Sequence, residues 1–361
     1  MKNSTTKKEK PINNPAPLFT ASRTPSGQLK EWRSSKKKIL MIISDDNWLH
    51  AAHFAQSIRD RGYQILGYLH NDQTKESQKF GLKSSGSIQD LPKILESQPV
   101  DAICITVASL RQEKIKKAIK VADYYGVRVN LVPENLRYLK SNFKFSTVGG
   151  LPAVPLRNVP LDNKLNAIIK KVFDFVFALT AIVILFPIFL LIALLIYLDR
   201  NGPIIYAPIR KGEARGTFRC YKFRTMSDCD NPLNGTKSTE KNDPRITHLG
   251  KYLRKFDLDE LPQFFNVLKG EMSIVGPRPH RPFLAQDFRK IVNDYMVRHY
   301  VKPGITGWAQ VNGWRGPTET VEQKQERVNH DLWYIENWNF LLDIKIIFLT
   351  VVGKKTRKNA F

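Results

Sequence analysis

The sequence predicts an α/β protein: a Rossmann-like domain, a membrane helix that enters and returns, and a further folded domain after it. Three observations carry this reading. Apolar runs of strand length alternate with stretches of helical spacing between residues 38 and 140. An uncharged run of 24 residues, Phe175 to Leu198, follows. Beyond it stands a carboxylate pair, Asp259-Glu260, flanked by basic clusters.

The elements follow in chain order. Residues 1–37 form a basic tail: to Lys38 there are ten Lys/Arg, two acidic residues and four prolines, with little apolar patterning. That composition predicts disorder. Two readings stand for it, adhesion to anionic lipid and a solvated linker. Ile39 to Ile43 reads as a buried strand, Trp48 to Arg61 as a helix ended at Gly62, and Gln64 to Leu69 as a second strand. Ala102 to Val107, Arg111 to Tyr125 and Val127 to Val132 repeat the strand, helix, strand order. Such alternation implies a parallel sheet with crossovers, here over 38–140. A dinucleotide site needs a glycine-rich first turn. Ser44-Asp45-Asp46-Asn47-Trp48 has no glycine, and its aspartates oppose a pyrophosphate. A scaffold or regulatory role is expected for this degenerate domain. Residues 141–163, with Gly149-Gly150, Pro152, Pro155 and Pro160, read as a linker.

The membrane segment is placed at 164–200. Twenty-four helical residues span about 36 Å, enough for a hydrocarbon core of ~30 Å. Pro187 interrupts the run after twelve residues and deletes a backbone bond, which kinks a helix. Lys164, Lys170 and Lys171 precede the run, and Arg200, Arg210 and Lys211 follow it. Positive flanks on both ends place both on the cytosolic side. A helix bent near Pro187 satisfies both ends, and a straight crossing is the alternative. Asp174 pairs with a nearby cation or sits at headgroup level. Phe340 to Val352 reads as an interfacial or packed helix because Asp343 and Lys345 interrupt it.

Charge and cysteine content narrow the function classes. There are 57 Lys+Arg against 33 Asp+Glu, a formal net charge of +24. Such a surface seeks nucleic acid or an anionic leaflet. No nucleic-acid-binding motif is present, and the apolar run selects anionic membrane lipids. Cys104, Cys220 and Cys229 are too few for a disulfide framework, and Cys104 reads as core. No export signal is visible at the N-terminus.

The chemistry is expected around the pair. Asp257 makes three carboxylates within four residues, which requires cations or a metal. Arg254 and Lys255 stand just before it, and Arg278 lies in Gly276-Pro277-Arg278-Pro279. Two prolines pre-aim that guanidinium, a bidentate phosphate binder. Lys222 and Arg224 share a face if Phe218 to Thr225 is a strand, and could hold a diphosphate. Glu260 with a diphosphate fits Mg²⁺, which prefers few carboxylates plus phosphate oxygens. Asp259 is then free to attack phosphorus.

Lys222-Phe223-Arg224-Thr225-Met226, Asn242-Asp243-Pro244-Arg245 and Leu258-Asp259-Glu260-Leu261-Pro262-Gln263 are the first of an ordered series. Asn266-Val267-Leu268-Lys269-Gly270, Met272 to Pro279 and Lys302 to Gly313 complete it. The series resembles the bacterial sugar transferase family, the monotopic polyprenyl-phosphate phosphoglycosyl transferases, over about 160–361. The resemblance implies an α-rich α+β phosphoglycosyl transferase catalytic domain at 201–361 and a re-entrant helix. It implies transfer of a sugar-1-phosphate from a UDP-sugar to undecaprenyl phosphate, with Mg²⁺ and release of UMP. It further implies Asp259 as nucleophile, forming a covalent phosphosugar, and Glu260 as the magnesium ligand. Arg254 and Arg278 match family arginines that contact phosphate or position the dyad. The implied location is the cytosolic face of a bacterial inner membrane, and a homo-oligomer is an open expectation.

Three features depart from the family pattern. Larger members carry transmembrane helices where this chain has a basic tail. Phe186-Pro187 stands in place of Ser-Pro. Asp257 occupies a position where Ser or Thr is common. Gly313-Trp314-Arg315-Gly316 resembles the branch that primes exopolysaccharide or capsule synthesis, which points to glucose, with galactose or an N-acetylated sugar as the alternative. A non-catalytic scaffold for polysaccharide assembly is the competing class.

Overall fold

The computed structural model describes residues 36–43, 48–70, 78–79, 82–107, 112–133, 146–148, 151–199, 202–227, 243–316, 318 and 320–353. The expectations for residues 1–35 of the tail, the Ser44–Asn47 turn, Gly149-Gly150, Arg200 and Cys229 lie outside them.

The first domain holds β1 (Lys38–Ile42), α1 (Trp48–Asp60), β2 (Gln64–His70), β3 (Gln78–Lys79), β4 (Leu82–Ser87), α2 (Leu91–Ser97), β5 (Ala102–Val107), α3 (Gln112–Tyr125) and β6 (Arg128–Pro133). Strands β4, β2, β1, β5 and β6 lie side by side in that order, all parallel. The reason is the one a parallel sheet demands: apolar strands covered on both faces. Leu40, Ile42, Ile103 and Ile105 pack against α2 and α3, while Ile39, Met41 and Cys104 pack against α1. Burial pushes the Cys104 thiol up to about 12, so it behaves as core.

The segment 141–163 is not only a linker. It contains β7 (Ser146–Val148) and β8 (Leu151–Pro155), and β8 pairs antiparallel with β6. Two prolines do not prevent this: β8 lies between β6 and β7, with Pro152 next to its start and Pro155 at its end.

Helix α4 (Lys164–Leu198) is capped by the Asn163 side chain, which accepts from the Leu165 amide. It runs on through Pro187 as one helix. Among the described residues it is the one helix long and apolar enough to cross a membrane. Large apolar side chains along its middle stand exposed, Val183, Ile184 and Phe186 each by more than half. Its two ends are anchored. Lys170 pairs with Asp174 (3.2 Å) and Asp343 (2.7 Å), and Asp174 accepts from the Ile274 amide. Ile192 and Ile196 pack with Phe223 and Leu253.

The rest of the chain contributes β9 (Ile205–Tyr206), β10 (Ile209–Lys211), β11 (Thr217–Arg219), β12 (Lys222–Phe223), α5 (His248–Lys255), α6 (Gln263–Leu268), β13 (Ser273–Val275), α7 (Pro282–Ile291), β14 (Gly304–Thr306), α8 (Trp308–Val311), α9 (Val321–Asn337) and α10 (Phe340–Val352). Its strands form two-stranded pairs: β10 with β11, β12 with β9, and β13 with β14. Gly276 is required at the end of β13, since a Cβ there would lie 2.5 Å from the Lys302 carbonyl. Asp343, fully buried in α10, accepts from Tyr334 (2.8 Å) and Trp338 (3.2 Å). Helix α10 is therefore packed through a polar face as well as exposed through Leu341, Phe348 and Val351.

The N-terminal sheet meets the rest of the chain through arginines. Arg157 reaches Asp123, Asp294 and Glu336. Arg289 donates to the Tyr124 carbonyl and lies 3.9 Å from that ring. Arg128 donates to the Tyr300 carbonyl, and the Tyr300 hydroxyl donates to the Val127 carbonyl. A cavity of about 130 Å³ opens beside this seam, lined by Arg128, Lys170, Tyr300 and Tyr334, and the carboxylate pair is not part of it.

Candidate active site

The carboxylate pair sits on a break between two helices. Helix α5 begins at Thr247, whose hydroxyl accepts from the Gly250 amide. It ends with Arg254 and Lys255 in its last turn, where cations complement the helix dipole. Asp257 then takes a left-handed conformation (φ 57°), which stops the helix. Leu258–Glu260 form one 3-10 turn, and Pro262 leads into α6. The pair thus lies in a turn. Leu258 and Leu261 pack against the cluster of Ile192, Ile196, Phe223 and Leu253. The end of α4 therefore fixes the turn that carries the carboxylates. Asp259 and Glu260 are both buried.

Lys222 lies on β12 and joins both acids. Its ammonium is 2.7 Å from Glu260 Oε1 and 3.7 Å from Asp259 Oδ2. Arg278 grips Glu260 with both terminal nitrogens, Nη1 to Oε2 at 3.1 Å and Nη2 to Oε1 at 2.5 Å. The Arg278 backbone is held in turn, because Arg298 donates to its carbonyl (2.8 Å) and pairs with buried Asp331. Arg254 donates to the Thr225 hydroxyl at 2.8 Å, and its charge acts on Asp259. Lys222, Arg254 and Arg278 are thus gathered at the pair.

The two carboxyls are driven apart electrostatically. Burial pushes Glu260 up, but Arg278 and Lys222 overcome it and hold the group well below the usual carboxylate range. Burial also pushes Asp259 up; Lys222 opposes it, Glu260 adds to it, and the net direction is upward. One acid is a fixed anion and the other is an under-compensated carboxylate.

Arg224 departs from the expected arrangement. Residues 218–225 do not form one strand: β11 ends at Arg219, and β12 ends at Phe223. Alternation therefore does not carry Arg224 to the face of Lys222. Its guanidinium is buried, donates to the Ile196 carbonyl (3.1 Å) and lies 3.6 Å from Asp199. It caps the C-terminal end of α4, where a cation meets unpaired carbonyls.

Asp257 is likewise separated from the pair's charge balance. Arg315 binds it with both terminal nitrogens, one at 2.9 Å. The same loop is fixed on its other side by Arg327, which donates to the carbonyls of Trp314 and Gly316. The third carboxylate anchors the Gly313–Gly316 loop.

One basic residue was missed by reasoning from sequence. Arg210 follows the apolar run and reads as a membrane flank. In the fold it lies among Cys220, Arg281, Arg278 and Glu260, and burial pushes its pKa down to about 10. Pairing of β10 with β11 sets it opposite Phe218, four residues before Lys222. Arg210, Lys222, Arg254 and Arg278 lie around two carboxylates, an excess of positive charge that suits a multiply charged anion.

Comparison with known proteins agrees in one direction. The family model described as bacterial sugar transferase matches residues 165–356. A UDP-glucose:undecaprenyl-phosphate glucose-1-phosphate transferase of Escherichia coli (strain K12) is 36% identical over 302 residues, covering 83% of this chain and 64% of that protein. The exopolysaccharide production protein PSS of Rhizobium leguminosarum bv. phaseoli is 41% identical over 202 residues, 55% of this chain and 100% of that protein. A UDP-N-acetylgalactosamine-undecaprenyl-phosphate N-acetylgalactosaminephosphotransferase of Aeromonas hydrophila is 41% identical over 192 residues, 53% of this chain and 44% of that protein. The chain spans about three-fifths of the length of relatives such as the Escherichia coli protein. With more than half its length matched, the pair Asp259-Glu260 included, the chain belongs to the bacterial sugar transferase family.

Proposed function

We propose that this protein transfers a sugar-1-phosphate from a UDP-sugar to undecaprenyl phosphate and releases UMP. Glucose is the proposed sugar, and the product would start an exopolysaccharide repeat unit. The observation that carries the reading is the asymmetric pair: Glu260 locked by Arg278 and Lys222, Asp259 beside it without a full counter-charge. The named activities of the relatives support the substrate class.

The chemistry follows from these positions. An ionised Asp259 oxygen attacks the sugar-bearing phosphorus, the phosphorus–oxygen bond to UMP breaks, and UMP leaves with that electron pair. The phosphosugar is then held as an acyl phosphate on Asp259. An oxygen of undecaprenyl phosphate attacks the same phosphorus and frees the aspartate. Arg278, Lys222 and Arg254 orient the phosphates and stabilise charge that shifts between them.

Magnesium fits the donor set. The Lys222 ammonium already sits between the two carboxylates, so the pair accepts a shared cation. Mg²⁺ takes few carboxylates and most of its ligands from phosphate and water. Glu260 would hold it, and when bound it neutralises diphosphate charge.

A panel of UDP-sugars with undecaprenyl phosphate and membranes, read by UMP release, tests the function. UDP-glucose is expected to give the fastest release; chelation should stop it and added Mg²⁺ restore it. No UMP from any UDP-sugar would contradict the proposal. Release with UDP-galactose or a UDP-N-acetylhexosamine instead would correct only the sugar.

The N-terminal sheet order supports reading that domain as Rossmann-like. We further propose a re-entrant α4 at the cytosolic face of the inner membrane. Residues on both sides of Pro187, Phe177 and Phe189, reach the neighbouring residues Phe264 and Phe265, at ring separations of 6.4 and 5.8 Å. The exposed middle of the helix would then dip into lipid while both ends stay with one folded body. Single cysteines introduced at Leu165 and Leu198 should react with a membrane-impermeant reagent only from the cytosolic side. Labelling of one of them from the outside would establish a straight crossing.

A further inference from the structure

The Arg210 side chain has no direct ion-pair partner among the described residues. Its backbone is fixed on three sides: the strand pairs with Phe218 across β10–β11, the Lys211 amide donates to the His280 carbonyl (2.9 Å), and the Cys220 amide donates to the Pro208 carbonyl (3.0 Å). These bonds set β10 between the segment leading into Lys222 and the segment leaving Arg278. The side chain is half-buried, and its charged neighbours are Arg281, Arg278 and Glu260. Among the described residues it makes no hydrogen bond and no ion pair.

The other arginines near the pair are engaged. Arg278 holds Glu260, Arg254 donates to Thr225, and Arg298 holds Asp331. Glu260 accepts its bonds from Arg278 and Lys222 and none from Arg210. A partly desolvated cation without a partner is destabilising. A fold keeps such a group where a ligand brings the missing anion, the usual exchange of stability for function. The backbone pinning matters here: strand pairing and the His280 bond fix the backbone that carries the guanidinium before any ligand arrives.

Resting on the reading of this site as a UDP-sugar site, we infer that Arg210 binds a non-bridging oxygen of the donor's diphosphate, beside Arg278. A phosphate could also come from the lipid acceptor. The donor is favoured because Arg210 adjoins Glu260 and Arg278, the groups that face the reacting phosphate.

The test uses the full chain in detergent, with UDP and Mg²⁺ titrated by calorimetry. Removal of one charge-assisted hydrogen bond corresponds to roughly 10- to 100-fold in affinity. Arg210→Ala should weaken UDP binding by about that factor, and Arg210→Lys should fall between. The KM for undecaprenyl phosphate should stay unchanged. The ligand-free melting temperature of Arg210→Ala should equal or exceed that of the wild type, because an unbalanced charge has been removed; a structural arginine would lower it. Unchanged UDP affinity in Arg210→Ala overturns the inference, and so does a raised KM for the lipid with UDP binding intact. A wild-type protein that fails to bind UDP overturns the inference together with the proposed donor. A wild type that binds while the variant is unaffected leaves the donor reading standing.

Discussion

Asp259→Asn is expected to lower turnover by at least about 10³-fold while leaving the folded protein as stable or more so. The first half follows from chemistry: an amide cannot displace UMP from phosphorus, and no other described side chain near the pair offers a replacement nucleophile of the same placement. The second half follows from linkage. The folded-state pKa of Asp259 is raised, chiefly by burial. A raised carboxyl favours the fold when protonated, so its contribution is fully present below the unfolded value, near 3.9, and is lost as pH rises through the folded value. At neutral pH the wild type therefore holds an unfavourable anion that the Asp259→Asn variant lacks. Thermal melts at pH 7 and at acid pH check this: the variant should lead at pH 7, and the gap should close on acidification. The same shift places the acid limb of kcat/KM above the ordinary aspartate range. A variant that melts well below the wild type at pH 7 would show that the anion is stabilising and fully paired.

Glu260→Gln is expected to be inactive for a different reason, and to be less stable. Glu260 accepts two bonds from Arg278 and one from Lys222 in a buried site. Removing its charge leaves two cations facing an amide, at a cost of about 3 kcal/mol. The sign with pH is opposite to that of Asp259. The folded pKa of Glu260 is depressed, so its stabilisation is present above the unfolded value, near 4.3, and is lost as pH falls through the folded value. Denaturation at pH 7 and at progressively acid pH should show the deficit of the variant shrinking. A second consequence is local. Lys222, 3.7 Å from Asp259, is released from Glu260 and can pair with Asp259 instead. The double variant Asp259→Asn/Glu260→Gln should therefore be less stable than the two single changes added together, a non-additivity that contacting charges produce.

Much of the molecule could be read from the chain because its periodicities are local. The buried strands at 38–42 and 102–107 were visible as uninterrupted apolar runs, since a parallel sheet hides both faces. The site's acids, with Arg254 and Arg278, were legible because three carboxylates beside cations and a proline-fixed arginine are costly without a purpose. What was not legible depended on long-range pairing or on one broken alternation. Arg210 stands twelve residues before Lys222 and only the β10–β11 hairpin returns it to the site. Arg315 and Asp257 are 58 positions apart, and nothing local predicts their pairing. Arg224 was placed by assuming a strand that stops one residue too early. β8 was read as linker because its prolines argue against a strand. Pro187 interrupts the apolar sequence but not the helix.

A covalent phosphosugar at one aspartate is the central claim. Purified protein mixed with radiolabelled UDP-glucose and Mg²⁺, without any polyprenyl phosphate, addresses it directly. The expected result is a single burst of UMP, close to one per active site, with label carried by a peptide containing Asp259 and absent from Asp259→Asn. UMP release that requires undecaprenyl phosphate from the first turnover, or label that persists in Asp259→Asn, would contradict it.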